Sequence, residues 1–256
     1  GKDQLLGNPM NLHTRATATN TENARTPRIS IVIPIYNEAG NIGALVKEVG
    51  LSLASLEPYE VIVVDDASTD DSFAEATAVA NDVVALQVIS YEKNRGQSAA
   101  IATGVEAANA NIVAVLDGDG QNDPADIVAL YDVIASNPGL SMVAGERAHR
   151  HDNWIRRVSS RVANSVRRIV LHDGCNDTGC ALKVFRRDAF LRLPQFDHMH
   201  RFLPALFIAD GGEVEYQPVT HRPRIHGESK YGVRNRLWVG IVDLIGVFWL
   251  GKRRLE

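Results

Sequence analysis

Asn111-Ile112-Val113-Ala114-Val115-Leu116-Asp117-Gly118-Asp119-Gly120-Gln121-Asn122-Asp123-Pro124 decides how the rest of the chain is read. Its first half is apolar and rich in β-branched residues, the composition of a buried strand. Asp123-Pro124 then opens a helix, with proline at a favoured first position. Asp117 and Asp119 therefore sit one residue apart at the carboxyl end of a strand, the edge at which open α/β sheets bind ligands. Carboxylates at that spacing are hard oxygen ligands that can share one divalent cation, whose remaining positions go to phosphate oxygens. Gln121 adds a neutral amide oxygen on the same turn. A strand end followed by a solvated Asp/Gly turn also fits these residues, so the motif alone is a weak signal.

Working outward, the same alternation of strand and helix repeats. Ile29-Ser30-Ile31-Val32-Ile33-Pro34-Ile35-Tyr36 reads as a buried strand ending at Pro34, because proline removes a ladder donor. Asn37-Glu38-Ala39-Gly40-Asn41 turns into a helix with apolar positions Ile42, Leu45, Val46 and Val49. Glu60 to Asp66 is a second strand, and Ala67-Ser68-Thr69-Asp70-Asp71 offers caps for a helix through Ala80. Val84 to Ser90 reads as a third strand, Asn94-Arg95-Gly96-Gln97 as a loop, and Ser98 to Ala108 as an alanine-rich helix. A helix from Pro124 to about Ala135 and a strand from Leu140 to Ala144 follow the opening stretch. This alternation predicts an α/β fold, a mostly parallel sheet with helices on both faces. Polar groups collect at successive strand ends: Tyr36, Asn37 and Glu38; Asp65 and Asp66; Asn94, Arg95 and Gly96; Asp117, Asp119 and Gln121. Loop polarity explains any one of these groups, but four on one sheet edge point to a binding site.

Composition narrows the class. At 256 residues the chain is one large domain or two small ones, with ample length for a core. Apolar residues make up 45% and charged residues 23%, as in an ordinary globular protein. A net charge of -4 gives a general nucleic-acid role no support. Cys175 and Cys180 are too few for a disulfide scaffold and point to a reducing, cytosol-facing compartment. With His172 they sketch a zinc site that lacks a clear fourth ligand. No secretory h-region and no apolar run of membrane-spanning length is visible. Residues 1–26 are polar, show no apolar period, and read as a disordered tail.

The second half is basic. From Arg147 to Arg168 the chain carries Arg147, Arg150, Arg156, Arg157, Arg161, Arg167 and Arg168. Ile155, Val158, Val162, Val166, Ile169 and Val170 recur at spacings of three and four, the pattern of an amphipathic helix. Such a helix suits a solvated face on a globular core, or an anionic membrane surface. Leu237 to Leu250 is highly apolar, with Trp238 and Trp249 near its ends and Arg234, Arg236, Lys252, Arg253 and Arg254 flanking it. It is too short to span a bilayer; the flanking bases and Trp favour an interfacial helix, with packing on the core or a partner as the alternative.

The motifs together resemble a known family. Ile33-Pro34-Ile35-Tyr36-Asn37-Glu38, Val64-Asp65-Asp66-Ala67-Ser68, Asn94-Arg95-Gly96 and Leu116-Asp117-Gly118-Asp119-Gly120-Gln121 are similar, in order and spacing, to motifs of the family 2 glycosyltransferases of GT-A fold. Asp177-Thr178-Gly179-Cys180-Ala181-Leu182-Lys183-Val184-Phe185-Arg186-Arg187 and Arg224-Ile225-His226-Gly227-Glu228-Ser229-Lys230-Tyr231 look like the polyprenyl-phosphate branch, which includes dolichol-phosphate mannose synthase. The likeness covers about residues 29 to 232. Gly118 and Gly120 depart from it, standing where many relatives carry larger residues, and the two transmembrane helices of some members have no counterpart here.

The resemblance implies a catalytic domain over residues 27–232, followed by an amphipathic membrane-interface segment over 233–256. It implies a nucleotide-sugar donor, UDP- or GDP-linked, bound by Pro34, Tyr36, Glu38, Asp66, Arg95, Gly96, Asp117 and Gly118. Mg2+ or Mn2+ on Asp117, Asp119 and Gln121 would neutralise the leaving diphosphate. The implied acceptor is a polyprenyl phosphate, clamped by Lys183, Arg201, Arg224, Ser229 and Lys230, and Asp177 matches the family position that orients or deprotonates the acceptor. Asp177 also fits a plain turn cap in Asn176-Asp177-Thr178-Gly179. The expected location is the cytoplasmic face of the inner (plasma) membrane, held peripherally on an anionic surface; the sequence does not give an oligomeric state. A family 2 enzyme acting on a sugar hydroxyl is the near alternative, and a non-catalytic nucleotide-sugar-binding scaffold the distant one. A nicotinamide dehydrogenase lacks its Gly-x-Gly-x-x-Gly after the first strand, and a P-loop enzyme lacks its Gly-Lys-Ser/Thr.

Overall fold

The computed structural model describes residues 26–80, 83, 85–147, 171, 173–224 and 243–249. Residues 1–25, the basic helix expected after Arg147, Ser229, Lys230, and 237–242 and 250 of the apolar C-terminal stretch lie outside the described residues.

Seven strands form one sheet: β1 (Ile29–Ile35), β2 (Tyr59–Asp65), β3 (Leu86–Ser90), β4 (Ile112–Val115), β5 (Leu140–Arg147), β6 (Lys183–Arg186) and β7 (Glu213–Val219). Their spatial order is β3-β2-β1-β4-β6-β5-β7. Only β6 runs against its neighbours β4 and β5; the other pairings are parallel. The four main helices are α1 (Ile42–Ser52), α2 (Ser72–Ala78), α3 (Gln97–Ala107) and α4 (Asp126–Ser136).

β1 shows why the sheet is covered on both sides. Ile29, Ile31, Ile33 and Ile35 point to one face and meet apolar residues of α1, α2 and α4. Val32 points to the other, where α3 and the short helices Arg187–Leu191 and Leu203–Ala209 pack. Both sets are buried, so a strand inside a two-faced sheet reads as apolar almost throughout. α3 lies close on this second face: a Cβ at Gly104 would come within 2.3 Å of Val32 Cγ1. Pro34 sits within β1 rather than ending it, and it lies beyond Val32, the last residue paired with β4. A proline donates nothing to a ladder, and here no β4 partner remains to ask for it.

β3 starts at Leu86 rather than Val84, α4 at Asp126 rather than Pro124, and β5 runs on to Arg147. β6 and β7 are not foreseen by the sequence pattern. β6 is four residues inside a loop-like motif, and β7 is a half-exposed edge strand containing Pro218, which an edge tolerates.

This topology brings the carboxyl ends of six strands to one edge. Because β6 is reversed, its first residue joins them: Lys183 pairs with Val115 of β4 and Ala144 of β5.

Candidate active site

The loops after β1 and β2 are laced together. The backbone N–H groups of Asn37, Glu38, Ala39 and Gly40 donate to Ser68, Ser72, Asp70 and Glu75 respectively, at 2.7 to 3.2 Å. Asn37 returns the contact by accepting from the Thr69 N–H at 2.7 Å. Those four donors are taken, so this turn cannot cradle a phosphate as a Gly-rich loop does. Tyr36 remains exposed at the rim. Glu38 accepts from Asn41 Nδ2 at 3.2 Å.

Asp66 is buried and shapes the next loop. Its carboxylate accepts the N–H groups of Arg95 (2.6 Å) and Gly96 (2.9 Å), and its backbone oxygen accepts from Asn94 Nδ2. Burial raises its pKa, opposed by those two backbone donors. Gly96 has φ +88°, a conformation open to glycine, and opens α3. Arg95 then stands over the Tyr91 ring at 4.9 Å. Asp66 thus builds the Arg95-Gly96 corner implied to meet the donor, and the next residue, Gln97, donates to Asp117 Oδ1 at 2.7 Å.

Asp117 and Asp119 lie at the centre of the edge. Burial and the Asp119 charge push the Asp117 carboxyl up to about 6, with Glu38 adding to the rise and Lys183 and Gln97 opposing it. Gly118 between them allows a close approach: a Cβ there would meet Ile35 Cγ2 at 2.6 Å. Its departure from bulkier relatives is therefore matched to this packing. Asp119 is buried, accepts the Gln121 N–H at 3.1 Å, and pairs with Arg224, Nη2 to Oδ2 2.6 Å. Among the described residues no group of three or more His, Cys, Asp and Glu side chains converges as a metal shell. The donor chemistry nevertheless fits a divalent cation: two adjacent carboxylates repel each other, and a cation between them relieves that repulsion.

The other implied residues fall around this pair. Lys183 is buried; its Nζ donates to the Cys180 carbonyl oxygen and its charge bears on Asp117. It stands beneath the acids rather than out in solvent. Gln121 turns away from Asp119: its Nε2 donates to the Arg222 carbonyl oxygen at 3.3 Å and lies 3.5 Å from His221 Nε2. Arg222 N–H donates back to the Gln121 oxygen at 2.8 Å, and Asn122 bridges His221, so residues 221–222 run against 121–122. Arg222 anchors this pairing through Glu48 (2.7 Å) and Asp123 (2.6 Å). Arg224 is carried to Asp119 on the same segment.

Asp177 is buried and held by a residue that the sequence pattern assigns elsewhere. Arg147 Nε and Nη2 each donate to one Asp177 oxygen at 2.6 Å, and the Arg147 N–H adds a third contact at 3.2 Å. This is the bidentate fork of guanidinium on carboxylate. Gly179 makes room for it: a Cβ there would meet Arg147 Nη2 at 2.8 Å. Arg147 looks in the sequence like the first residue of a basic helix, yet it is the last residue of β5. Arg201 is half-buried beside His200. His200 bonds Ser98 Oγ through Nδ1 at 2.8 Å, and burial, Arg201 and Lys183 push its pKa down to about 3, so it stays neutral. Cys175 and Cys180 are both buried, and His172 lies outside the described residues.

Residues 30–193 match the profile of Glycosyl transferase family 2. The chain belongs to that family. Family 2 relatives include the dodecaprenyl-phosphate galacturonate synthase of Rhizobium johnstonii, 34% identical over 226 residues, covering 86% of this chain and 66% of that protein. The undecaprenyl-phosphate 4-deoxy-4-formamido-L-arabinose transferase of Serratia proteamaculans is 33% identical over 211 residues, covering 80% and 63%. The chain thus spans just under two thirds of the length of these relatives. In structure it is similar to glucosyl-3-phosphoglycerate synthase of Mycobacterium tuberculosis, solved with Mg2+ and UDP: TM-score 0.65, 19% identity, 88% of this chain and 79% of that one. The same enzyme with Mn2+, UDP-glucose and phosphoglyceric acid gives TM-score 0.67 at 19% identity, with the same coverage. At that identity the likeness carries the fold, which is the GT-A fold of the family 2 resemblance.

The family 2 site contains three groups that sequence reading passes over. Gln97 closes the quoted Asn94-Arg95-Gly96 motif. Arg147 hides in a run of arginines. Arg222 stands two residues before Arg224, and the repeated Arg-x-Arg is its only signal in the sequence.

Proposed function

We propose that the chain is a metal-dependent, inverting glycosyltransferase that moves a sugar from a UDP- or GDP-sugar to a polyprenyl phosphate. An oxygen of the lipid phosphate forms the new bond to the anomeric carbon. The bond from that carbon to the donor diphosphate breaks on the opposite face, and its electron pair leaves with the nucleoside diphosphate.

One observation carries the choice of acceptor: both Asp177 oxygens are held by the Arg147 fork. A hydroxyl acceptor needs a base to take its proton, and a carboxylate engaged at both oxygens is poorly placed for that. A phosphate monoester has a second pKa of about 6 and needs no base near neutral pH. Asp177 then orients and does not deprotonate. The relatives named for dodecaprenyl and undecaprenyl phosphates support the same acceptor class.

Asp117 and Asp119 would hold the divalent cation, which when bound supplies charge neutralisation for the diphosphate as it leaves. The UDP and metal of the solved structural relatives support both ligands. Asp66, Arg95 and Gly96 form the preset corner for the donor, with Tyr36 and Glu38 beside it. Arg224 is suited to the anions, because its fork fits phosphate. Lys183, buried beneath Asp117, offsets negative charge from below rather than gripping the acceptor.

Peripheral attachment to the cytoplasmic face of an anionic membrane completes the reading. In the helix 243–249 Val247 is buried against the core, while Ile245, Phe248 and Trp249 face outward. No helix among the described residues is long and apolar enough to cross a membrane. Outward Trp and Phe beside flanking Lys and Arg suit an interface.

Thermal-shift screening with UDP, GDP and their sugars, with and without Mn2+, tests the donor half. A ligand that binds only the folded state raises the melting temperature by mass action. The reading requires a metal-dependent rise with one nucleotide; no rise with any of them contradicts it. For the acceptor half, Asp177→Asn should retain some turnover, and high pH should not restore the rest. A large loss recovered at high pH would make Asp177 a base and favour the hydroxyl acceptor.

A further inference from the structure

The Arg224–Asp119 pair joins two groups that the reaction needs apart. Arg224 Nη2 lies 2.6 Å from Asp119 Oδ2, and the Arg224 side chain is about one quarter exposed. Burial opposes its charge, but Asp119, Glu38 and Asp117 all act to keep it protonated, so three carboxylates bear on one guanidinium. The protein offers the metal no third acid among the described residues. The segment carrying Arg224 is pinned in register by Arg222 on Glu48 and Asp123 and by its bridge to Asn122.

We propose that Arg224 is an internal counter-cation that holds the metal's place on Asp119 and makes metal and nucleotide bind together. Without ligand, the guanidinium offsets the charge of Asp119. A divalent ion alone must break that pair and gains only two carboxylates. A metal arriving with a diphosphate gains further oxygens, and the released Arg224, still tethered at Arg222, has a new anion beside it. The ion pair therefore penalises half-loaded states and favours the fully loaded one. Such coupling is reciprocal between the two ligands. This inference rests on the metal-binding reading of Asp119.

Mn2+ binding to the full chain, followed by electron paramagnetic resonance of free Mn2+, tests it without any turnover. Wild type should bind Mn2+ alone weakly. Arg224→Gln should bind Mn2+ alone about tenfold tighter, the scale of a charge-assisted hydrogen bond in which each factor of ten is about 1.4 kcal/mol. Adding UDP, with GDP run alongside, should tighten Mn2+ binding by a larger factor in wild type than in Arg224→Gln. Arg224→Lys, which keeps a cation, should stay near wild type for Mn2+ alone. Arg224→Gln binding Mn2+ no tighter than wild type overturns the proposal, as does an equal nucleotide effect in both. Asp119→Asn separates the two failures. If it leaves Mn2+ affinity unchanged, the metal reading itself is wrong; if it abolishes binding while Arg224→Gln changes nothing, only the counter-cation is wrong.

Discussion

The two halves of the catalytic edge are held by different forces. On the β1–β4 side, hydrogen bonds from backbone N–H groups to side chains do the work: Ser68, Ser72, Asp70 and Glu75 hold the Asn37–Gly40 turn, and Asp66 holds Arg95 and Gly96. On the β5–β7 side, ion pairs do it: Arg147 with Asp177, Arg222 with Glu48 and Asp123, Arg224 with Asp119. A hydrogen-bonded turn has one arrangement, which under the proposed function is set before the donor arrives. An ion pair can exchange its partner for a ligand of the same charge. Under the proposed function the first half is thus the one that recognises, and the second the one that responds to incoming anions and cations.

Substitutions can break each half separately. The largest effect is expected at their junction. Asp119→Ala should lower transfer by on the order of 10³-fold or more, the several kcal/mol of charge stabilisation that a metal supplies. Its melting temperature should change little, because this carboxylate lies in a loop outside the apolar core. Full activity in Asp119→Ala, or in excess EDTA, would remove the metal from the account.

Arg147→Ala should come next, and should appear in stability. It leaves Asp177 buried without its fork, which costs roughly 3–5 kcal/mol when one partner of a buried pair is removed. Chemical denaturation measures this directly. A change under 1 kcal/mol would mean that the pair is solvated and that Asp177 is freer than its geometry suggests.

Asp117 gives a smaller, pH-dependent effect. In the metal-free folded chain it holds its proton up to about pH 6, whereas an unfolded carboxyl titrates near 3.9. Between these values the native state binds the extra proton. Stability therefore falls as pH rises through that window, and the full deficit is present above it. At about 1.36 kcal/mol per unit the deficit is at most about 3 kcal/mol. Asp117→Asn should remove that slope from melting curves recorded between pH 4 and pH 8; an unchanged slope would assign it to other groups.

The recognition half was legible in the sequence, and the responsive half only in part. β1 to β4 alternate with helices at regular spacing, and their polar ends are short local motifs, so period and turn chemistry locate them. β6 and β7 escaped because one is four residues long and the other is an edge strand with mixed polarity. The ion pairs escaped because they join residues far apart in the chain: Arg147 to Asp177, Arg222 to Glu48, Arg224 to Asp119. A guanidinium in sequence carries no mark of its partner. Arg147 shows this most clearly, reading as part of a solvated or membrane-facing basic run yet pairing with a buried acid. Lys183 and Gln121 show the reverse: both lie at the edge, but their side chains turn to Cys180 and to residues 221–222.

Two finer tests bear on the responsive half. Arg224→Lys keeps the charge and loses the fork, so transfer should fall by about tenfold; Arg224→Ala should fall further, mainly in kcat. Donor hydrolysis by water, which brings no second phosphate, should fall less than transfer. Equal losses would assign Arg224 to the donor alone. Removing residues after Arg236 should release protein from anionic liposomes, and salt should weaken what remains, each basic residue near the surface contributing on the order of 1 kcal/mol. Binding unaffected by that deletion would place attachment elsewhere.

The central claim is that the acceptor is a phosphate on a polyprenyl chain. It is tested most directly by initial rates with one accepted nucleotide-sugar and Mn2+, comparing undecaprenyl phosphate with undecaprenol and with free sugar acceptors. The account predicts a sugar-phospho-lipid product from undecaprenyl phosphate alone, with a rate that levels off above about pH 7 as the phosphate, with its second pKa of about 6, completes its ionisation. Comparable transfer to undecaprenol or to a sugar hydroxyl, with a rate that keeps rising at alkaline pH, would contradict it.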